Sequence, residues 1–374
     1  MCAVALYRKY RPTTFDKVIG QDHITTTLIN QIKSGNIAHA YLFTGSRGTG
    51  KTTCAKIFSK AINCLSPVNG SPCGKCAVCK ALEDEANMDI LEIDAASNNG
   101  VDEIREIRDK VKFPPVNAKY KVYIIDEVHM LSINAFNALL KTLEEPPAHA
   151  VFILATTEVR KLPATILSRC LRFDFRLVSV NLLEKLLKDI FDEMKIEYDE
   201  DSLKVIAKAG EGSVRDTLSI ADSVIAYGNN KVTYSTVLDV LGISDRESII
   251  KLADNMISGD IGGVLDEVHA AFVSGKNLIS LSKDLTTHFR DLMVIKSCKD
   301  STDILALPAE MYERLKSQSD KVSTKKLLAF MEKLSSIEGD LKYALNPRVL
   351  LEITCLECAS LECASLDENG AKKN

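Results

Sequence analysis

Tyr41-Leu42-Phe43-Thr44-Gly45-Ser46-Arg47-Gly48-Thr49-Gly50-Lys51-Thr52 decides the fold: an apolar run passes straight into G-x-x-x-x-G-K-[ST], and a helical pattern from Thr53 to Ile62 follows. Glycines at these positions let successive backbone N–H groups converge on phosphates, and the helix start adds a partial positive charge. Lys51 reaches the β- and γ-phosphates, and Thr52 offers its hydroxyl to Mg²⁺. Gly45, Ser46, Arg47, Gly48, Thr49, Gly50, Lys51, Thr52 and Thr53 are therefore the expected cradle for a nucleoside triphosphate. A glycine-rich turn without a ligand would need neither the strand before it nor the helix after it.

Working outward, short apolar runs alternate with helical patterns through the first 178 residues. Ala40 to Thr44, Asp89 to Ile93, Val122 to Ile125, Val151 to Ala155 and Leu171 to Phe175 read as strands of a parallel sheet with helical crossovers, an α/β domain. The run ending at Ile125 leads into Asp126-Glu127, acids at the carboxyl end of a strand, where open α/β sheets place their ligands. Asp126 is expected to orient Mg²⁺ through its water shell and Glu127 to align and polarise the attacking water, so hydrolysis is expected as well as binding. Thr157, just past the next strand, is placed to bond that water or the γ-phosphate.

Two arginines stand out. Arg169, in Ser168-Arg169-Cys170, lies between the helix opened at Pro163 and the strand from Leu171, where a guanidinium can stabilise charge on a transferring phosphoryl group. A surface salt bridge is the other reading. In Ser213-Val214-Arg215-Asp216 a capping box is expected, with Ser213 as N-cap and Asp216 reaching back. That puts Arg215 in a first helical turn, where the dipole disfavours a cation unless an anion sits nearby, and assigns it to the nucleotide phosphates.

Eleven cysteines without a secretory signal suit a reducing compartment, where clustered thiols more often hold metal than pair as disulfides. Cys64, Cys73, Cys76 and Cys79 form C-x8-C-x2-C-x2-C with turn residues between them, the pattern of a closed tetrahedral zinc site. The C-x2-C-x2-C part also resembles an iron–sulfur run, although its fourth cysteine lies upstream.

The 374 residues, 46% apolar and 26% charged, suit two to three ordinary domains, and no run approaches the roughly 18 apolar residues of a membrane span. The first twelve residues lack a signal-peptide core, so a cytoplasmic protein with no membrane partner is expected. A net charge of −4 argues against coating nucleic acid, but residues 1–178 carry 23 basic against 18 acidic side chains, so any nucleic-acid contact belongs there. Past residue 178 the strand signal vanishes. Expected domains are 1–178 with the cysteine insertion at 64–79, a small helical domain at 179–242, a helical bundle at 243–365 broken near Ser274-Gly275, Leu307-Pro308 and Asn346-Pro347, and a frayed tail at 366–374. Leu356 to Ser365, which repeats Leu-Glu-Cys-Ala-Ser, should continue the last helix.

With these residues in view, the chain resembles the gamma/tau subunits of bacterial DNA polymerase III clamp loaders, members of the AAA+ ATPases. The resemblance rests on Tyr7-Arg8-Lys9-Tyr10-Arg11-Pro12, the phosphate loop, the four cysteines, Asp126-Glu127-Val128-His129, Asn137 through Pro147, Ser168-Arg169-Cys170 and Gly212-Ser213-Val214-Arg215-Asp216. It implies an AAA+ base, a helical lid and a helical collar that assembles subunits into an open ring. ATP binding in such a ring grips and opens the sliding clamp and takes up primer-template DNA; hydrolysis releases both, at replication forks on the nucleoid. By the same resemblance Arg169 acts on a neighbouring subunit's nucleotide, Arg215 reports the γ-phosphate, and Tyr7 to Pro12, with Tyr7 and Arg11 foremost, line the adenine pocket. Arg105, Arg108 and the helix start at Thr165 are candidates for DNA phosphates, although Arg105 with Asp109 and Glu106 with Lys110 also read as i,i+4 pairs on a solvated helix. Longer family members add carboxyl-terminal domains that bind the polymerase and the replicative helicase; the sequence stops just after the collar, so those partners are not assigned to it.

Two other functions compete. Asp126 to His129 also fits the D-E-x-H signature of helicases, but these need a second α/β lobe, and no strand is expected across 179–365. A non-hydrolysing, ATP-gated scaffold would not need Lys51, Thr52, Asp126 and Glu127 all intact.

Overall fold

The computed structural model describes residues 4–84, 87–241, 246–298, 305 and 309–361. The chain divides into two units, residues 1–234 and 235–374.

The first unit is built on a five-stranded sheet ordered β2-β3-β4-β1-β5, parallel throughout: β1 Ala40–Thr44, β2 Ile90–Asp94, β3 Lys121–Asp126, β4 Ala150–Thr156 and β5 Leu171–Asp174. Alternate residues of β1 enter different cores: Tyr41 and Phe43 pack with Phe58, Ile124 and Phe173, whereas Ala40 and Leu42 pack with Tyr123, Phe152 and Leu154. A strand covered on both faces needs apolar residues at every position, which is why β1 and β4 read as unbroken runs. The helices α1 Leu6–Lys9, α2 Asp22–Ser34, α3 Lys51–Asn63, α4 Ala77–Ala81, α5 Val101–Val111, α6 Ile133–Glu144 and α7 Ala164–Leu167 complete this part. Each expected strand is present within a residue or so of its expected ends, and α6 stops before Pro146-Pro147, which cannot continue it.

In register, Thr44 at the end of β1 lies beside Thr156 of β4 on one side and Asp174 of β5 on the other. The chain leaving β1 therefore emerges at the carboxyl edge of the sheet, between β4 and β5. α8 Val180–Met194, α9 Glu200–Ala209 and α10 Val214–Tyr227 follow. Strands do recur here, against expectation: Glu197–Tyr198 pairs in parallel with Lys231–Val232. A two-residue strand is too short to show any alternation in sequence.

The second unit is helical among its described residues. Arg246–Ser258, Ile261–Val273, Leu278–Ser297, Ala309–Asp320, Thr324–Leu341 and Pro347–Ala359 surround a core centred on Leu281, Leu285, Phe289 and Leu292 facing Leu327, Phe330 and Leu334. Phe289 and Phe330 meet edge-on at 4.9 Å. The expected breaks have local causes: Gly275 has φ 73°, and Pro347 opens a helix whose first turn Asn346 caps through Val349 N–H. The last helix ends at Ala359 with Ser360 as its C-cap, so it stops with the first Leu-Glu-Cys-Ala-Ser copy and does not run on as expected. The break expected at Leu307-Pro308, most of the second copy and the 366–374 tail lie outside the described residues. Among the described residues no helix is long and apolar enough to cross a membrane.

Candidate functional site

Three glycines shape the phosphate loop, with φ of 143°, 74° and 101° at Gly45, Gly48 and Gly50, values closed to most side chains. Two also admit a neighbour. A Cβ on Gly45 would lie 2.4 Å from the Phe175 carbonyl oxygen, and one on Gly48 would lie 2.0 Å from Ser213 Oγ. The loop is thereby wedged between β5 and the start of α10, and Val214 N–H donates to the Gly48 carbonyl at 3.1 Å.

Lys51 opens α3 with only 6% of its surface exposed, its Nζ donating to the carbonyls of Gly45 at 2.7 Å and Ser46 at 2.8 Å. Burial lowers its pKa below the usual 10.5, while Glu127 and Asp126 pull it back up. Thr52 Oγ1 donates to Asp126 Oδ2 at 2.6 Å, so the hydroxyl and carboxylate expected at Mg²⁺ already face each other. Asp126 Oδ1 also accepts the Glu127 N–H at 2.9 Å. Glu127 itself is left-handed, at φ 47°, a strained conformation for a non-glycine residue and a common mark of functional sites. Its Oε2 accepts a hydrogen bond from Thr157 Oγ1 at 3.0 Å, and His129 Nδ1 stands 3.4 Å from the same oxygen.

Arg215 lies in the first turn of α10, with its guanidinium 5.1 Å from the centre of the Tyr7 ring; Arg8 foremost, and Arg215 to a lesser degree, lower the Tyr7 pKa. The expected capping box is only half formed. Ser213 Oγ accepts from Asp216 N–H at 3.2 Å, but the Ser213 N–H donates to the Gly210 carbonyl at 2.8 Å, so Asp216 has no donor to reach back for. Arg11 Nε donates to Thr53 Oγ1 at 3.2 Å, on a cavity of about 580 Å³ that Arg8, Pro12, Thr53, Ile57 and Cys73 also line. Arg169 joins none of this. Its guanidinium pairs with Glu144 at 2.8 Å and donates to the Thr165 carbonyl and Ser168 Oγ, the surface salt bridge weighed from the sequence.

Residues that sequence reasoning missed hold the site. Gln21 is fully buried; its Nε2 donates to the carbonyls of Thr49 and Arg176 and its Oε1 accepts the Arg176 N–H, tying the loop to the segment after β5. Asp222 accepts the Leu6 N–H at 2.7 Å and so anchors the amino-terminal segment to α10. No periodicity marks either residue. His129 was visible only as one letter of an acidic motif.

The sulfurs of Cys64, Cys73, Cys76 and Cys79 all lie within 4.8 Å of one another, and Cys73 and Cys79 are 4.0 Å apart. Four sulfurs at about 2.3 Å from one ion stand roughly 3.8 Å from each other, so the cluster fits a tetrahedral metal. Backbone N–H groups are already aimed at the sulfurs. Those of Lys75 and Cys76 reach Cys73, lowering its pKa to about 6, and the Cys79 N–H reaches Cys76, whereas burial pushes the Cys79 thiol up to about 12. On α5, Arg105 pairs with Asp102 and not Asp109, which instead pairs with Arg108 and Lys112; Lys110 with Glu106 is as expected. Arg105, Arg108, Asn134, Asn137 and Lys141 line a groove of about 300 Å³ between α5 and α6.

A phosphate loop and an acid pair at the carboxyl edge of a five-stranded parallel sheet, followed by helices, define a P-loop protein of AAA+ type. Family profiles match in succession: "DNA polymerase III, delta subunit" over 20–179, "DNA polymerase III clamp loader subunit, ATPase lid domain" over 183–230, and "DNA polymerase III subunits gamma and tau domain III" over 232–369. The chain is 42% identical to DNA polymerase III subunit tau of Bacillus subtilis over 94% of its own length and 62% of that protein. With Escherichia coli subunit tau the figures are 37%, 94% and 54%, and with subunit gamma of Buchnera aphidicola 45%, 68% and 71%. The chain belongs to the DNA polymerase III gamma/tau family. It spans a little under two thirds of the length of the Bacillus subtilis relative.

Proposed function

We propose that this chain is an ATP-hydrolysing motor subunit of a clamp loader, which with other loader subunits in an open ring places the sliding clamp on primer-template DNA in the cytoplasm, at replication forks on the nucleoid. The observation that carries the proposal is the convergence of Lys51, the Thr52–Asp126 pair, Glu127 and the Arg215 helix on one phosphate loop. ATP and Mg²⁺ bring the triphosphate and a divalent charge. Gly45 to Thr53 cradle the phosphates, Lys51 neutralises the β/γ end, and Thr52 and Asp126 hold Mg²⁺, Asp126 through water. Glu127 aligns and polarises the attacking water, Thr157 bonds that water or the γ-phosphate, and Arg215 reads the phosphate from the lid. Tyr7 and Arg11 flank the base.

Arg169 serves a neighbouring subunit's nucleotide. Its described partners are all on its own surface, and an exposed ion pair worth roughly 0–1 kcal/mol is easily exchanged for a phosphate. Residues 1–178 form the base, 179–242 the lid and 243–365 the collar. Cys64, Cys73, Cys76 and Cys79 hold a structural zinc ion. The groove of Arg105 and Arg108, near-neutralised by its own acids, is the candidate DNA contact together with Thr165. The decisive experiment is steady-state ATP turnover of the reconstituted loader with clamp and primed DNA. Turnover that rises with both supports the motor reading, and no turnover in a properly assembled ring leaves only a scaffold.

A further inference from the structure

The Glu127 carboxylate is met by two side chains among the described residues, Thr157 at 3.0 Å and His129 at 3.4 Å. Thr157 has a single hydroxyl proton. It cannot donate to Glu127 and to a phosphate oxygen or water at the same time, so whenever it turns to the phosphate, Glu127 loses that bond. The side chain that remains is His129.

His129 is built to stay. It sits in a short 3-10 turn, Val128–Met130, whose Val128 is fully buried, and its own side chain is 7% exposed. Nδ1 lies 3.1 Å from Thr156 Oγ1 as well as 3.4 Å from Glu127 Oε2. Thr156 is fully buried at the end of β4, and its Oγ1 accepts the Glu158 N–H at 3.0 Å, so the hydroxyl that meets the imidazole is itself fixed. On the far side Nε2 faces Glu158 Oε1 at 3.5 Å, and Lys161 Nζ holds that carboxylate at 2.8 Å. The ring is thus clamped between β4 and the loop after it, with Nδ1 hydrogen-bonded to Thr156 Oγ1 at 3.1 Å and within ion-pair range of Glu127 Oε2 at 3.4 Å, so that its single proton is shared between the two oxygens. Glu127 lies close enough to the phosphate loop for its charge to pull the Lys51 pKa upward.

We propose that His129 is the positioning residue for Glu127, holding its carboxylate toward the phosphate loop while Thr157 is engaged elsewhere. The proposal rests on Glu127 being the water-aligning acid. The test uses the full chain in the reconstituted loader, measuring ATP turnover and nucleotide affinity for His129→Leu, His129→Asn and His129→Gln. An acid misplaced by about 1 Å costs on the order of 10²-fold, so His129→Leu should lower kcat by roughly 10- to 100-fold with KM and ATP affinity within about 2-fold. His129→Asn, whose amide nitrogen falls where Nδ1 does, should recover most of the rate; His129→Gln, which reaches the Nε2 position, should not. In a Glu127→Gln background His129→Leu should cost nothing further.

The proposal is overturned if His129→Leu turns over normally, if Asn is no better than Gln, or if His129→Leu costs as much without the Glu127 carboxylate as with it. Should His129→Leu fail to fold, the Asn and Gln comparison decides alone. If Glu127→Gln itself retains full turnover, the role of Glu127 fails first, and that of His129 goes with it.

Discussion

Gly48→Ala tests how tightly the phosphate loop is keyed to the lid helix. Gly48 has φ 74°, and left-handed backbone costs an L-residue about 1–2 kcal/mol more than glycine. The new Cβ would stand 2.0 Å from Ser213 Oγ and 3.1 Å from Arg215 Cβ, so the serine must turn away. Its hydroxyl then releases the Asp216 N–H, and a lost N-cap costs about 0.5–2 kcal/mol; at 5% exposure Ser213 has little water to replace that partner. Displacing α10 also stretches the bond from Val214 N–H to the Gly48 carbonyl, worth about 1 kcal/mol. The sum is about 2.5–5 kcal/mol, which lowers the melting temperature by roughly 10 °C if the fold bears it, or nucleotide affinity by about 10²- to 10⁴-fold if the loop does. Calorimetric melting with and without ATP separates the two. Gly48→Ala with Ser213→Ala supplies the control: removing Oγ relieves the worst contact, so the double variant should be less damaged than the sum of the singles by about 1 kcal/mol. Strict additivity, or a total cost under about 1 kcal/mol, would refute the keyed arrangement.

Lys51→Ala should abolish nucleotide binding, and equilibrium dialysis showing retained tight ATP affinity would remove the lysine from the phosphate site. Arg169→Ala should leave affinity nearly intact and collapse turnover in the assembled ring only; an equal fall in the isolated subunit's basal rate would put the arginine on its own nucleotide. Metal analysis of the purified protein should return about one zinc per chain, and replacing Cys76 should lower the melting temperature more than it impairs turnover per folded molecule. His288, in the second unit, bonds Gln318 at 2.7 Å, and burial holds its pKa below the usual 6.5. The unfolded chain therefore takes up a proton that the folded chain resists: this contribution is intact above about pH 6.5 and is lost as pH falls toward the folded value. Urea denaturation between about pH 7.5 and 5.5 should show the decline and should show it flattened in His288→Gln; identical pH dependence in the two would contradict it.

What was legible in the sequence is what carries its own period or its own spacing. The buried strands announce themselves because both faces of β1 and β4 are covered, and the phosphate loop because glycine is the only residue tolerated at Gly45 and Gly48. Asp126 and Glu127 were placed by one rule about strand ends. What stayed hidden depends mostly on pairs far apart in the chain: Gln21 meets Thr49 and Arg176, and Leu6 meets Asp222. Within one helix, Arg105 chooses Asp102 three residues back over Asp109 four residues on, a choice that spacing alone leaves open. The half-formed cap at Ser213 shows the same limit, since its N–H had a nearer acceptor in Gly210 that the S-x-x-D spacing does not reveal.

These hidden pairs determine how the site responds as a whole. α10 is attached to the phosphate loop through Val214 and Gly48 and to the amino-terminal segment through Asp222 and Leu6, while Arg215 covers Tyr7. Gln21 ties the other side of the loop to the chain leading out of β5. A phosphate-driven shift of the loop therefore acts on the lid helix through a backbone hydrogen bond and a van der Waals wall, both of which fail steeply over about 1 Å, and not through flexible side chains that adjust. On the role proposed for Arg215, that arginine then gains or loses its phosphate together with the loop. The acid pair is reached from the other edge of the loop, by way of Thr156, Thr157 and His129. Separate damage to the two edges should accordingly separate binding from turnover: substitutions at Gly48 and Ser213 should act mainly on affinity, and those at His129 mainly on rate.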